Sequence, residues 1–111
     1  MEFSNYQNQA KRTAIYPNQG SVSGLQYVVL GLCGECGEVA ENIKKSIRDD
    51  KGFISSDRQD ALIKELGDVL WYLSQIAGEL DTTLETIALR NLAKLRKRQR
   101  DNTLHGSGDD R

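Results

Sequence analysis

Apolar residues recur every three or four positions along most of the chain, which is the spacing of an amphipathic α-helix. The clearest stretch begins at Ser21 or Ser23 and ends near Arg48, and its apolar positions are Leu25, Val28, Val29, Leu32, Cys36, Val39, Ile43 and Ile47. A second stretch starts with the sequence Ser-Asp-Arg-Gln at Ser56, which is typical of a helix N-terminus, and continues to Leu80. The pattern therefore predicts two long helices joined by a short loop.

Shorter stretches of the same pattern flank these two helices. Phe3–Tyr16 forms the first, and a fourth begins after a cap at Asp81 or Thr82 and fades near Arg100. Residues 101–111 are polar and contain glycine, which predicts a flexible tail. Long helices with short connections predict an all-α fold, a bundle of about four helices.

Composition limits what such a domain, residues 1–100, can be. Hydrophobic residues make up 38% of the chain and charged residues 28%, so the core is either thin or completed by a partner chain. The net charge of −1 favours neither nucleic acid nor a membrane surface. No apolar run approaches the roughly 20 residues that span a bilayer. We therefore expect a cytoplasmic protein with no membrane or nucleic-acid partner.

Two cysteines and one histidine exclude several kinds of site. Cys33 and Cys36 have Cys-x-x-Cys spacing, but a structural zinc site needs four ligands and the only other soft ligand is His105, in the predicted tail. A thioredoxin-like motif requires a preceding strand, whereas this pair lies inside a predicted helix. We interpret both cysteines as ordinary helix residues.

Paired carboxylates occur on both long helices. Glu35 and Glu38 are three residues apart on the second helix, and Glu65 and Asp68 are three apart on the third, so each pair shares a helix face. Each pair borders its helix's apolar stripe. If the stripes pack together, the four acids meet and require a cation, and their hard oxygen ligands suit Mg²⁺ or Mn²⁺. The alternative is that they are solvated surface charges.

Glycines and aromatic residues accompany these acids. Gly31, Gly34 and Gly37 lie inside the second helix, where each costs about 1 kcal/mol relative to alanine. Close helix packing or room for a ligand would offset that cost. Trp71 lies outside the apolar stripe of the third helix and Tyr72 lies on its acidic side. Trp71 therefore needs a second contact surface, which is either another helix or a flat ligand.

Basic residues concentrate on the fourth helix. Asn91, Lys94 and Arg98 fall within an arc of about 60° and offer an amide, an ammonium and a guanidinium group on one face. This combination suits phosphate oxygens. The alternative is that basic side chains here complement the dipole at the helix C-terminus.

Together these motifs resemble the MazG-like all-α nucleoside triphosphate pyrophosphohydrolases. The resemblance is carried by GLCGECGEVAE at residues 31–41 and by ELGDVLWYL at 65–73. Residues 91–98, NLAKLRKR, are similar to the closing helix of the family. Residues 6–17 are similar to the start of its small, often phage-borne members. The resemblance covers residues 6–98, and the order and spacing of the motifs make it specific.

The resemblance implies hydrolysis of a nucleoside triphosphate to the monophosphate and pyrophosphate. Mg²⁺ or Mn²⁺ would be the cofactor, and its ligands would be Glu35, Glu38, Glu65 and Asp68. Glu35 would be the general base. The family pattern begins Glu-Glu-x-x-Glu, and here Gly34 replaces the first acid. That replacement affects the number of bound metal ions more than the existence of a site.

The resemblance also implies where the substrate binds and how the chain assembles. Asn91, Lys94 and Arg98 would hold phosphate oxygens, in this or a neighbouring subunit, and Trp71 or Tyr72 would border the base or sugar. Family members form dimers or tetramers, so a homodimer or homotetramer is expected. Guanine nucleotides are the favoured substrates. Two alternatives stay open: a non-catalytic helical interaction protein, and nucleic-acid binding through the basic fourth helix.

Overall fold

The computed structural model describes all 111 residues, which form four α-helices and no β-strand. The helices are α1 (Phe3–Lys11), α2 (Val22–Asp50), α3 (Ser56–Glu79) and α4 (Leu84–Arg100). The predicted all-α fold is therefore confirmed. None of the four combines the length and the apolar character needed to cross a membrane.

The ends of α2 follow from local sequence. Ser21, one of the two predicted caps, accepts a hydrogen bond from the backbone N–H of Gly24 at 3.3 Å. The helix continues two residues past the predicted end at Arg48. It stops where Lys51 and Gly52 adopt left-handed φ angles of 55° and 83°.

The predicted caps of α3 and α4 were wrong by one or two residues. Ser55, not Ser56, caps α3, and Thr83, not Asp81 or Thr82, caps α4. The side chains of Ser55 and Thr83 accept hydrogen bonds from the N–H of the third residue of each helix, at 3.1 and 3.0 Å. Asp81 instead has φ 54°, so it belongs to the turn between the helices.

The first helix is also shorter than predicted, since it ends at Lys11 rather than Tyr16. Tyr16 is buried, and its ring stacks on Tyr27 and meets Trp71 edge-on. Its hydroxyl donates to Glu79 at 2.5 Å. The chain leaves the helix because these tertiary contacts outweigh the local helical pattern.

The helices pack as an antiparallel hairpin of α2 and α3, with α1 lying against α3 and α4. Gln7 joins α1 to the turn before α4: its amide donates to the carbonyl of Thr82 at 3.2 Å and accepts from the N–H of Leu84 at 2.9 Å. α2 makes no contact with α4. One broad face of the hairpin is consequently uncovered within a single chain.

The core is thin for a chain of this size. Only 10 of the 111 residues are buried. The accessible surface is 8130 Å², whereas a compact monomer of this mass exposes about 6100 Å². The radius of gyration is 16.9 Å, against about 13 Å for a compact domain of this length. Apolar side chains remain exposed along the hairpin, among them Val29, Ile43, Ile47, Ile63, Leu66 and Leu73.

Residues 101–111 form turns and bends rather than a helix. They return toward the end of α4, where the N–H of Thr103 donates to the carbonyl of Arg98 at 2.7 Å. Arg111 donates from its Nε to the carbonyl of Thr103 at 3.0 Å. The predicted flexibility of this segment stays a prediction.

Candidate functional site

Three of the four predicted acids converge on the hairpin. Glu35 projects from α2, and Glu65 and Asp68 project from one face of α3. One carboxylate oxygen from each lies within 4.8 Å of the others. Glu35 and Glu65 are partly buried and Asp68 is exposed, so the cluster borders solvent.

The antiparallel register of the hairpin produces this convergence. Near the turn that joins the two helices, Arg58 of α3 donates to the side-chain oxygen of Asn42 on α2 at 3.2 Å and pairs with Asp50 at 3.5 Å. Counting back along both helices from that contact brings residue 35 opposite residues 65–68. The i, i+3 spacing then directs two α3 carboxylates toward one α2 carboxylate.

The cluster concentrates negative charge without a basic partner. Burial raises the pKa of Glu35, and the carboxylates of Asp68, Glu65 and Glu38 raise it further. None of these four acids forms an ion pair. A hard divalent cation fits this donor set, because Mg²⁺ binds carboxylate oxygens that lie about 3–4 Å from one another. Small side-chain rotations would bring the three oxygens to that spacing.

Glu38, the fourth predicted acid, lies outside the three-residue cluster. It is exposed one turn further along α2, close enough for its charge to raise the pKa of Glu35. The two neighbouring glycines, Gly34 and Gly37, face open space, since a Cβ added at either would meet nothing within 4 Å. This side of the cluster is therefore free to receive a ligand or a second chain.

Tyr72 forms the aromatic edge of the site. Its ring lies over Gly31, where a Cβ would overlap the ring, so the glycine is required for this close approach. Burial raises the pKa of Tyr72, and the charges of Tyr27, Glu35 and Asp68 add to the effect. The predicted packing role of helical glycines thus applies at Gly31.

Sequence reasoning did not single out Tyr6 as a site residue. Tyr6 lies on α1, and its pKa is raised by burial and by the charge of Asp68. The available signal was an aromatic residue on the apolar side of α1. That signal does not distinguish a core position from one that faces α3.

Trp71 is oriented differently from its neighbour Tyr72. Its indole Nε1 donates to the hydroxyl of Thr13 at 2.8 Å, and its ring packs edge-on against Tyr16 and Tyr72. The second contact surface that the sequence required for Trp71 is therefore the segment that follows α1.

The basic trio on α4 is divided between two environments. Asn91 and Lys94, with Ile87 and Arg90, line an open depression of about 340 Å³. Arg98 is 6% exposed and lies beneath the C-terminal segment. Because α4 does not contact α2, one chain does not pack these residues against the helix that carries Glu35.

Comparison with known proteins agrees with this architecture. The chain is 49% identical over 109 residues to the Gene 37 protein of Mycobacterium phage L5, and the match covers 96% of both proteins. No solved structure matches the chain. The MazG nucleotide pyrophosphohydrolase domain matches residues 24–103, which include all four acids and the basic trio. The chain therefore belongs to the MazG nucleotide pyrophosphohydrolase family.

Proposed function

We propose that the protein is a metal-dependent nucleoside triphosphate pyrophosphohydrolase, which converts an NTP or dNTP to the monophosphate and pyrophosphate. Members of the MazG family act on nucleotides, generally use divalent metal ions and usually oligomerise. The observation that carries the proposal is the convergence of Glu35, Glu65 and Asp68 without a basic partner. Such a cluster is repulsive by itself and becomes favourable with a cation.

The acids have distinct roles in this proposal. Glu35, Glu65 and Asp68 would hold Mg²⁺ or Mn²⁺. Glu38, exposed one turn along α2, would supply a further ligand. When bound there, the cation would supply positive charge that offsets the phosphates and would lower the pKa of a bound water. Glu35 would accept a proton from the attacking water, because it is the acid whose pKa is raised by burial and by the other three carboxylates.

The bond changes follow in-line displacement at the α-phosphorus. The water oxygen forms a bond to that phosphorus while the bond to the bridging oxygen of the β-phosphate breaks. Pyrophosphate leaves with the bridging oxygen, and the proton taken by Glu35 returns to solvent. The products are the nucleoside monophosphate and pyrophosphate.

Substrate binding uses the basic face of α4 and the aromatic edge of the hairpin. Asn91, Lys94 and Arg98 hold phosphate oxygens. Tyr72 borders the base or sugar, and the effect of Glu35 and Asp68 on its pKa is consistent with this position beside the acids. Trp71 packs edge-on against the Tyr72 ring and holds it in place. Guanine nucleotides are the first substrates to test.

In this proposal the phosphate-binding residues of one copy and the acidic cluster of a second copy form one site, in a homodimer or homotetramer. The separation of α2 from α4 within one chain supports this arrangement. A stripe of exposed residues along α2 supports it too. The stripe consists of residues at helical spacing, namely Val29, Cys33, Cys36, Ala40, Ile43 and Ile47. The surface in excess of a compact monomer is about 2000 Å² per chain, which is enough for an obligate interface.

The same stripe favours a second candidate, a helical assembly protein with no catalytic activity. In that case the acids would be surface charges and no nucleotide would be consumed. Turnover distinguishes the two, because assembly alone requires no divalent ion.

The test is to incubate the purified protein with each NTP and dNTP, with Mg²⁺ or Mn²⁺, and to separate the products by chromatography. We expect monophosphate and pyrophosphate, and none when the metal is chelated. Glu35→Gln and Glu38→Gln should abolish turnover with the fold intact by circular dichroism. Glu41→Gln is the matched control, since Glu41 lies on the same helix and pairs with Lys44 at 2.9 Å. Metal-independent turnover, or full activity in Glu35→Gln, would refute the proposal.

A further inference from the structure

The C-terminal segment carries an acidic residue onto the basic face of α4. Gly108 has a left-handed φ of 84°, and the Arg111 guanidinium bonds back to the carbonyls of Thr103, Leu104 and Gly108. These bonds close residues 103–111 into a loop. The loop presents Asp109 to α4.

Asp109 pairs with both cationic residues of the basic trio, Lys94 and Arg98. One of its carboxylate oxygens, Oδ1, accepts from Lys94 Nζ at 3.0 Å and from Arg98 Nη2 at 3.1 Å. Arg98 Nη2 also donates to the backbone carbonyls of Asp109 at 3.1 Å and Gly108 at 3.4 Å. Both cations lower the pKa of the Asp109 carboxyl, so it is ionised at neutral pH.

The ion pair between Arg98 and Asp109 is buried on the arginine side only. The Arg98 side chain is 7% exposed, but that of Asp109 is 81% exposed, so water and solutes reach the carboxylate directly. The Arg98 Nε is buried and has no hydrogen-bond partner. A planar guanidinium presents its donors as a fork that suits two oxygens of one anion, and the segment satisfies that fork incompletely.

A carboxylate and a phosphate are alternative ligands for such a site, and a polyphosphate carries more charge and more acceptor oxygens. We propose that Asp109 is an intrachain substitute for a substrate phosphate, and that the C-terminal segment is a strap that must leave Lys94 and Arg98 before a polyphosphate binds there. The inference rests on the proposed function for the assignment of these two cations to phosphate. Gly106, Ser107 and Gly108 give the strap a hinge of low steric cost.

Binding of inorganic tripolyphosphate to the metal-free full chain tests the strap without catalysis. Isothermal titration calorimetry compares wild type, Asp109→Asn and Asp110→Asn. The two variants remove the same charge from adjacent positions, but Asp110 forms no ion pair. The open state is the one in which the strap has left Lys94 and Arg98. Since Asp109→Asn raises the population of that state, we expect the apparent Kd to fall by roughly threefold to tenfold. Asp110→Asn should stay close to wild type.

Three outcomes would overturn the strap: an unchanged Kd in Asp109→Asn, an equal gain in Asp110→Asn, or weaker binding in Asp109→Asn. A second measurement uses wild type and needs no variant to fold. The backbone amide NMR signals of residues 106–111 should move to random-coil positions as tripolyphosphate saturates the chain. Signals that stay in place while binding occurs would also refute it.

The strap and the proposed function fail in different ways. If no nucleotide is hydrolysed, the enzyme proposal fails, whereas tripolyphosphate binding still reports on Asp109. If nucleotide is hydrolysed, Asp109→Asn should lower KM by the same factor as the Kd and leave kcat unchanged. Hydrolysis with the KM of Asp109→Asn equal to that of wild type would refute the strap alone.

Discussion

Glu35, Glu65 and Asp68 meet on the α2–α3 hairpin without a basic partner, whereas Lys94 and Arg98 on α4 are both paired with Asp109. The hairpin also leaves its apolar stripe exposed, while the end of α4 is covered by the chain's own C-terminal segment. The chain itself thus supplies no counter-charge to the acidic region. The basic region is already paired with an anion of the same chain, Asp109. Before substrate binds, the charge of the basic half of the proposed site is therefore neutralised, whereas that of the acidic half is not.

Removing one acid gives the largest expected effect on the acidic region. Asp68→Asn should lower turnover roughly a thousand-fold, because it removes a carboxylate that in our proposal holds the metal, and the metal would stabilise the negative charge of the transition state. It should also lower the raised pKa values of Tyr6 and Tyr72, since the Asp68 charge contributes to both. Steady-state kinetics and an ultraviolet titration of the tyrosines measure the two effects.

Asp60→Asn is the control for this substitution. Asp60 is exposed on α3 and does not belong to the acidic cluster. We expect its turnover and its tyrosine titration to match wild type. A loss of turnover as large in Asp60→Asn as in Asp68→Asn would show that the acidic cluster has no special role.

A charge in the apolar stripe tests whether the hairpin is covered by a second copy. Ile47→Glu should convert the assembly to monomers, because a carboxylate in a desolvated interface has no partner there. Ile15→Glu is the control, since Ile15 is 94% exposed but lies outside the stripe. Size-exclusion chromatography with light scattering gives the masses. A wild-type chain that is already monomeric would contradict the proposed assembly.

Metal addition should stabilise the fold by neutralising the acids. At a metal concentration of 100 Kd, the free energy of unfolding rises by about 2.7 kcal/mol. For a chain of this size that raises Tm by roughly 10 °C. Differential scanning calorimetry at pH 7, with a monovalent salt at equal ionic strength as control, measures it. An equal shift with the monovalent salt would mean that screening alone relieves the repulsion.

The pH dependence of that shift has a defined sign. The pKa of Glu35 is raised in the folded chain, so protonated Glu35 contributes stability below the unfolded pKa, and this contribution is lost as pH rises through the folded pKa. The metal-free protein therefore carries a repulsive cost at neutral pH that a bound metal would remove. As the pH falls through the raised pKa, protons would compete with the metal for Glu35, and the metal-dependent rise in Tm should shrink.

Periodicity was sufficient to predict α2 and α3, but only three of the four acids that it predicted to meet do so. Apolar spacing places α2 and α3, and the i, i+3 spacing of Glu65 and Asp68 fixes a shared face whatever the helix packs against. The early end of α1 could not be predicted in this way. Tyr16 continues the helical pattern, but its ring is drawn into contacts with residues far along the chain, and single-helix periodicity contains no information about those contacts.

The C-terminal segment shows a second limit of sequence reasoning. Its glycines and charges indicate a solvated tail, and nothing in their local spacing pairs Asp109 with Lys94 or Arg98. That pairing depends on a left-handed turn at Gly108 and on return bonds from Arg111. Contacts of this kind arise from loop closure rather than from a periodic pattern, so they are visible only in the structure.

Glu79 provides an internal comparison for the acidic cluster, because the chain supplies its donors. The backbone N–H of Gly20 donates to both of its oxygens, at 3.1 and 3.0 Å, and the Tyr16 hydroxyl donates at 2.5 Å. Tyr16→Phe should lower the free energy of unfolding by about 1.5 kcal/mol, because it removes a hydrogen bond to a charged group. Urea denaturation at pH 7 measures the loss.

Tyr27→Phe is the matched control, since the Tyr27 ring stacks on Tyr16 but its hydroxyl forms no hydrogen bond. We expect that variant to differ from wild type by less than about 0.5 kcal/mol. Burial and the Glu79 carboxylate raise the pKa of Tyr16, so the neutral phenol contributes stability that is lost only as pH rises above the ordinary value of 10. The difference between Tyr16→Phe and wild type should therefore be constant from pH 6 to 9. A difference that changed across that range would mean that another group, and not the Tyr16 hydroxyl, controls this contact.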